Sequence, residues 1–330
     1  MKIFLTGATG FLGRHLLGLL LDAGHTVHAL VRDASDTSFF PRSDRLRLFK
    51  GDVTDASPVL AASENCGLAF HTAGIVSFDP RKTGLMNAVN AEGTANVCSA
   101  CASNGVGRLL HVSSVNAIGY PAEGTVGDEN TPFNWQPYGL AYMDTKRRAE
   151  EIVRDSVRRG LDAVIVNPGT MFGPGDIHRH SGEYIISISR GRLIGYIDGG
   201  FTQCIVGRVA EGCLLAAEKG KKGESYILGG FNLSYREIFG LIAEALGTRK
   251  PALRVPYGLF WLGEYSIYGM NRLIGKIPAL TPGLIRAAPL KLFYSSLKAV
   301  RELGYRPGTA EDLIQAIREH QLWYREQKIL

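Results

Sequence analysis

The chain has 330 residues, 45% of them hydrophobic, with 37 basic against 31 acidic side chains and a formal net charge of +6. That length can bury a large core, and charges scattered without a long basic run argue against a nucleic-acid binder and for an ordinary solvated surface. The five cysteines form no disulfide or zinc framework, Cys98 and Cys101 read as buried thiols, no apolar run reaches membrane-spanning length, and a cytoplasmic protein without a metal site is expected.

The first residues, "KIFLTG", read as a buried strand, and "FLGRHLLGLLLDAG" as an amphipathic helix ended by Gly24. Two more strands follow, "HTVHALVR" and "LRLFKGD", then a helix near residues 55–65 and the strand "GLAFHTAG". One long helix is expected over residues 84–105, then the strand "RLLHVSS", a helix over 138–160 and the strand "DAVIVNP". Strands that alternate with helices make right-handed βαβ units, and hence a parallel sheet covered on both faces whose ligands bind beyond the strands' carboxyl ends. From about residue 175 the rhythm loosens, so residues 1–175 are expected to form the main domain. Residues 176–330 would form a smaller lobe that folds over the strand ends.

Three glycines, Gly7, Gly10 and Gly13, separate the first strand from the first helix in "TGATGFLG". One permits the tight turn, the second lets backbone approach a pyrophosphate, and the third lets the helix pack near the strand. With free N–H groups at the helix start, the turn residues Gly7, Thr9, Gly10, Phe11, Leu12 and Gly13 are candidates for holding a dinucleotide's phosphates. The second strand ends in Arg32, whose guanidinium suits the 2′-phosphate of NADP(H). Asp33 stands beside it and could serve a ribose instead, which keeps NAD(H) open.

Tyr142 and Lys146, in "YMDTK", lie one helical turn apart and share a face. An ammonium beside a phenol favours the phenolate and would bring its ordinary value, near ~10, towards the working range of an acid or base. Ser113 and Ser114 end the strand "HVSS", where a hydroxyl can bond a substrate oxygen. Each motif alone is common, but the glycine turn, the strand-end serines and the Tyr-Lys pair in this order on one sheet are hard to assign to chance.

These motifs, with "GDVTD", "HTAG", "NAEGTANV" and "NPGTMFGPGD", make the chain resemble the extended short-chain dehydrogenase/reductases, the epimerase/dehydratase superfamily, and within it the dihydroflavonol 4-reductase-like and 3β-hydroxysteroid dehydrogenase-like branch. The resemblance implies a Rossmann-type doubly wound α/β fold with a smaller C-terminal substrate lobe. It assigns proton exchange to Tyr142, ribose binding and pKa lowering to Lys146, and polarisation of the substrate carbonyl to Ser114 rather than Ser113. Asp52 and Val53 would flank adenine, Ala73 and Gly74 would line the cofactor, and Asn167 and Pro168 would pass the nicotinamide. It also implies a homodimer built on the helices at 84–104 and 138–159.

The expected reaction is NADP(H)-dependent interconversion of a ketone or aldehyde and an alcohol on an apolar small molecule. A nucleotide-sugar epimerase or dehydratase is the alternative, and a non-catalytic NADP sensor a further one. Nucleotide-sugar enzymes of the family carry an arginine where this chain has Gly199, with Arg208 and Arg192 as substitutes. Phe260, Trp261, Tyr265 and Tyr268 form an aromatic stripe within residues 253–280. Packing of the small lobe against the main domain is its first reading, a wall of the substrate pocket its second. Adsorption to a membrane is the third, opposed by Glu264 and supported only by Arg272 and Lys276.

Overall fold

The computed structural model describes residues 1–273 and 280–330. The elements in chain order are β1 (Lys2–Thr6), α1 (Phe11–Asp22), β2 (Thr26–Val31), β3 (Leu46–Lys50), α2 (Ala56–Ser63), β4 (Leu68–His71), α3 (Thr83–Met86), α4 (Gly93–Ser103), β5 (Arg108–Val112), α5 (Ala141–Arg158) and β6 (Ala163–Pro168). Then come β7 (Thr170–Phe172), α6 (Gly182–Ser189), β8 (Gly195–Tyr196), β9 (Gly200–Ile205), α7 (Val206–Lys219), β10 (Ser225–Leu228), β11 (Phe231–Ser234) and α8 (Tyr235–Leu246). The last are β12 (Leu253–Arg254), α9 (Tyr257–Leu273), α10 (Pro282–Ala287), β13 (Lys291–Leu292), α11 (Leu297–Leu303) and α12 (Ala310–Glu326).

Seven parallel strands form one sheet in the order β10-β6-β5-β4-β1-β2-β3. The chain leaves β1 towards β2 and β3, then returns to place β4 on β1's other side. That reversal opens a crevice beyond the carboxyl ends of β1 and β4, the place where such sheets take ligands. Both faces are covered because the helices carry apolar residues at three- and four-residue spacing. Leu12, Leu16, Leu17, Leu20 and Leu21 of α1 pack with α7 on one face, and Val97, Cys98 and Cys101 of α4 with Val153 of α5 on the other. Cys98 and Cys101 are therefore buried free thiols, as their sequence context indicates.

The sheet's outer strand β10 comes from beyond residue 175, and α7 and α11 pack beside it, so the two lobes interleave along the chain. In the smaller lobe β9 pairs with β7, β11 and β13, and α6, α8 and α12 enclose a separate core around Phe172, Ile185, Ile238 and Leu313. The "GPGD" loop ties that lobe to its neighbours. The buried Asp176 carboxylate accepts from the backbone N–H groups of His180, Ser181 and Gly182 at 3.0–3.1 Å, and its carbonyl accepts from Tyr324 Oη at 2.9 Å.

Two expectations need correction. The helix over 84–105 is interrupted by a π-helical stretch, Asn87–Glu92, which the apolar periodicity does not register. The aromatic stripe does not pack the lobes together: α9 has no buried residue, and Trp261 is 40% exposed. Its partner cation Lys276 lies outside the described residues.

Replacing Asp176 with Ala leaves three inward N–H groups without their acceptor. The expected loss is about 1.5–3 kcal/mol of stability, the range for a charge-assisted hydrogen bond, measured by urea denaturation.

Candidate active site

The glycine turn has the shape that close approach of a ligand demands. Gly7 has φ +73°, and a Cβ there would stand 2.6 Å from the Ala73 nitrogen across the crevice. A Cβ on Gly13 would lie 2.0 Å from the Gly7 oxygen, so only glycine lets α1 start this close to β1. Gly10 caps α1 and offers no side chain to its first N–H groups. Those groups and the helix dipole fit a diphosphate. Leu12 points into the core, so only its backbone faces the turn, whereas Thr9 and Phe11 are half-buried at the rim.

The remaining cofactor candidates lie around the same crevice. Arg32 is exposed one residue beyond β2. Asp52 accepts from the Thr54 nitrogen and hydroxyl at 3.0 Å, and the Val53 carbonyl accepts from Asn96 Nδ2 at 2.9 Å. The Ala73 N–H donates to Thr6 Oγ1, and Gly74 leaves open a place where a Cβ would stand 3.5 Å from Lys146 Nζ. Pro168 is buried at the end of β6.

Tyr142, Lys146 and Ser114 come together at the ends of β5 and α5, each less than 9% exposed. The Ser114 and Asn116 side chains stand near enough to the phenol to favour its charged form, and Ser114 Oγ accepts from the Asn116 N–H at 3.2 Å. The Ser113 hydroxyl is buried without a partner. Burial pushes the Tyr142 phenol up to about 12 and lowers Lys146 to about 8, a fall that the Glu150 carboxylate opposes. The expected lowering of the phenol by the ammonium is thus not found: burial outweighs it. Desolvation disfavours both charged forms, and Lys146 Nζ donates to the Val112 carbonyl at 3.1 Å.

Several residues of the site were missed in the sequence. Glu150, one turn past Lys146 and 2% exposed, accepts from Asn167 Nδ2 at 2.5 Å, and the same amide donates to the Ser114 carbonyl at 2.9 Å. Asn90, placed by the π-helical stretch, donates to the Ile75 carbonyl and to Thr145 Oγ1, and accepts from the Ile75 N–H. Behind Lys146, His71 bonds Thr6 and Thr94, while both ring nitrogens of His111 are buried without a partner. Burial lowers both imidazoles, His71 to about 3, so they add no charge beside the ammonium at neutral pH. A charge that only appears at acidic pH leaves no mark on hydrophobic periodicity. Asn116, two residues past Ser114, is the one such residue that proximity to "HVSS" could have brought forward.

A doubly wound sheet with a glycine turn at its switch point and a buried Tyr-Lys-Ser group is that of a dinucleotide-dependent oxidoreductase. Residues 3–229 match the NAD dependent epimerase/dehydratase family. The chain is 30% identical to a putative dihydroflavonol 4-reductase of Synechocystis, over 98% of this chain and 94% of that one. It is 28% identical to a 3 beta-hydroxysteroid dehydrogenase/Delta 5→4-isomerase of Mycobacterium tuberculosis, over 93% and 86%. The crystal structure of gox2253 superposes with a TM-score of 0.86 at 33% identity, over 99% and 98%. The chain belongs to the NAD dependent epimerase/dehydratase family, the extended short-chain dehydrogenase/reductases, and is an NAD(P)-dependent oxidoreductase.

Lys146 makes stability depend on pH. Its value falls from 10.5 unfolded to about 8 folded, so between these values the unfolded chain binds more protons and stability rises with pH. Urea denaturation of the cofactor-free protein should show this rise relative to Lys146→Met, with the difference growing from about pH 8 towards 10.5.

Proposed function

We propose that the protein is an NADP(H)-dependent reductase or dehydrogenase that interconverts a ketone or aldehyde and an alcohol on an apolar small molecule. The observation that supports this most directly is the shared burial of Tyr142, Ser114 and Lys146, with Ser114 and Asn116 near the phenol and Lys146 one turn further along α5. Residues 1–175 hold the dinucleotide, and the 176–330 lobe closes over the substrate. A bound nicotinamide dinucleotide supplies or accepts the hydride.

The chain's own residues handle the proton and the orientation. Burial keeps the Tyr142 phenol protonated at neutral pH, ready to donate from Oη to a substrate oxygen and to take the proton back in the reverse direction. The Ser114 hydroxyl donates to the same oxygen and fixes its position. Lys146 holds the nicotinamide ribose, and its ammonium favours the phenolate at the moment charge develops. The glycine turn and the N-terminus of α1 hold the diphosphate, and Arg32 holds the adenosine 2′-phosphate. Asp52, Val53, Ala73, Gly74, Asn167 and Pro168 complete the walls.

An apolar substrate is favoured by the surroundings of Tyr142. Trp135, Leu140, Met143 and Met86 pack around it, and Phe78 lies edge-on at 5.8 Å between ring centroids. Gly199 has no room for a side chain, since a Cβ there would stand 2.5 Å from the Ala288 oxygen, and Arg208 is engaged by Glu211 and Asp312. The names of the relatives, a putative dihydroflavonol 4-reductase and a 3 beta-hydroxysteroid dehydrogenase/Delta 5→4-isomerase, agree with this reading. A nucleotide-sugar substrate is the second reading, favoured by a cavity of about 890 Å³ beside Gly199 that Arg236 and Lys291 line, together with Glu123 and the Asp198–Arg254 pair. The retained Ser114, Tyr142 and Lys146 speak against a non-catalytic sensor. The proposed assembly is a cytoplasmic homodimer paired through α4 and α5, for which light scattering should give twice the mass of the chain.

Tyr142→Phe should lower kcat by roughly 10²–10⁴-fold with cofactor affinity nearly unchanged, because it removes only the transferable proton. Substantial turnover in that variant moves the acid elsewhere. Arg32→Ala should weaken NADPH roughly tenfold to a hundredfold and leave NADH almost untouched. Equal affinity of the parent protein for both cofactors contradicts the NADP assignment. Titration with UDP-, GDP- and dTDP-sugars beside a set of hydrophobic ketones separates the two substrate readings: micromolar sugar-nucleotide binding with epimerised product establishes the second.

A further inference from the structure

We infer that α9 and the basic residues beside it form a docking face for an anionic phospholipid bilayer, on which the protein lies without crossing it. Among the described residues no helix is long and apolar enough to span a membrane, so any contact is with the surface.

The helix is seventeen residues long and none is buried. Leu259, Leu262, Met270 and Leu273, at spacings of three and eight, fall on one side and are 64, 59, 59 and 88% exposed. The half-covered residues Phe260, Glu264, Tyr265 and Tyr268 occupy the opposite side. Glu264, which interrupts the apolar pattern along the sequence, therefore does not interrupt the outward face. An apolar strip of this length turned to water is what an interfacial helix presents to the headgroup–acyl boundary.

The flanking charge selects the kind of surface. Arg272 stands exposed at the end of the helix and Arg286 on the adjoining α10, while Arg249 and Lys250 are exposed before it, Lys250 sharing a surface hollow with Glu237 and Glu244 of α8. Arg254 is neutralised by Asp198 at 2.6 Å. Glu264 is the one carboxylate in the sequence from 249 to 286. Two copies of this face meeting each other would bring like charges together, whereas an anionic leaflet attracts each of these cations. The face also adjoins the cleft, since Tyr257 Oη donates to the Ile285 carbonyl and Arg286 to the carbonyls of Pro137 and Tyr138, beside the cluster that holds Tyr142. The inference does not depend on the substrate assigned above.

Co-sedimentation of the full chain with vesicles tests it, using phosphatidylcholine alone and an equimolar mixture with phosphatidylglycerol. Binding to the anionic vesicles only, weakened by added salt, is expected. L262E/M270E should abolish it with circular dichroism and NADPH affinity unchanged, and R249Q/K250Q should weaken it roughly tenfold or more. A second measurement reads the outward side directly: S266C, at a position exposed between Leu262 and Met270 in a chain whose own cysteines are buried, should show a blue shift of an environment-sensitive label on adding anionic vesicles. The inference is overturned by absence of vesicle binding, by equal binding to neutral and anionic vesicles, by undiminished binding of L262E/M270E, or by no change in the emission of the S266C label. A dimer that L262E/M270E dissociates, without vesicle binding, assigns the face to a second copy instead.

Discussion

Everything near the site is arranged around one costly constraint, an ammonium held almost out of water. Lys146 is 7% exposed, and a buried charge without compensation neutralises by giving up its proton. Three features oppose that outcome. The Val112 carbonyl accepts one of its protons, the Glu150 carboxylate lies one turn further along α5, and the two imidazoles behind it stay neutral. The balance leaves the group near 8, where it is mostly charged at neutral pH yet easily influenced by what binds next to it. A ligand hydroxyl that accepts from Nζ would favour the charged form, which in turn favours the phenolate of Tyr142.

Glu150 links that electrostatic role to geometry. Its other tie runs through Asn167 to the carbonyl of Ser114, so the same carboxylate that steadies the ammonium also fixes the backbone of the residue facing the phenol. Arg154, at 3.4 Å from Glu150 and bonded to Ser225, carries the network to β10. Since β10 belongs to the later half of the chain, the second half's docking onto the sheet and the alignment of the site are mechanically connected. A substitution at Glu150 would therefore act on Lys146 through charge and on Ser114 through position. Gln in its place keeps the second role and loses the first.

The sheet was legible in the sequence because strands buried on both faces leave continuous apolar runs, and because α1 and α5 carry their apolar residues at helical spacing. "TGATGFLG" was legible for a steric reason: three glycines in a strand-to-helix turn are tolerable only where backbone or ligand comes close, and the distances at Gly7 and Gly13 bear that out. Tyr142, Lys146 and Ser114 could be paired because one helical turn and one strand end fix where each must lie. The π-helical stretch at Asn87–Glu92 could not be read, since it shifts hydrogen-bond register without changing composition. Glu150 was hidden for another reason: an acidic residue beside Arg147, Arg148 and Glu151 looks like part of a solvated helix face, and only the path of β6 beneath it makes it buried.

The aromatic stripe shows how a correct periodicity can carry a wrong inference. Spacing establishes which residues share a side of a helix, but not whether anything covers that side. Phe260, Tyr265 and Tyr268 do share one, and it faces the protein only in part; the leucines and methionine of the other side are the more exposed. Counting aromatic rings directed attention to the half-covered face, where Glu264 also lies, and so made the membrane reading look weaker than the three-dimensional arrangement does. Once Glu264 is turned away from the outward strip, the charge pattern and the apolar pattern of this segment point the same way. The free energy of such adsorption grows with buried apolar area and with each cation near the leaflet, so the strip and the cations act together.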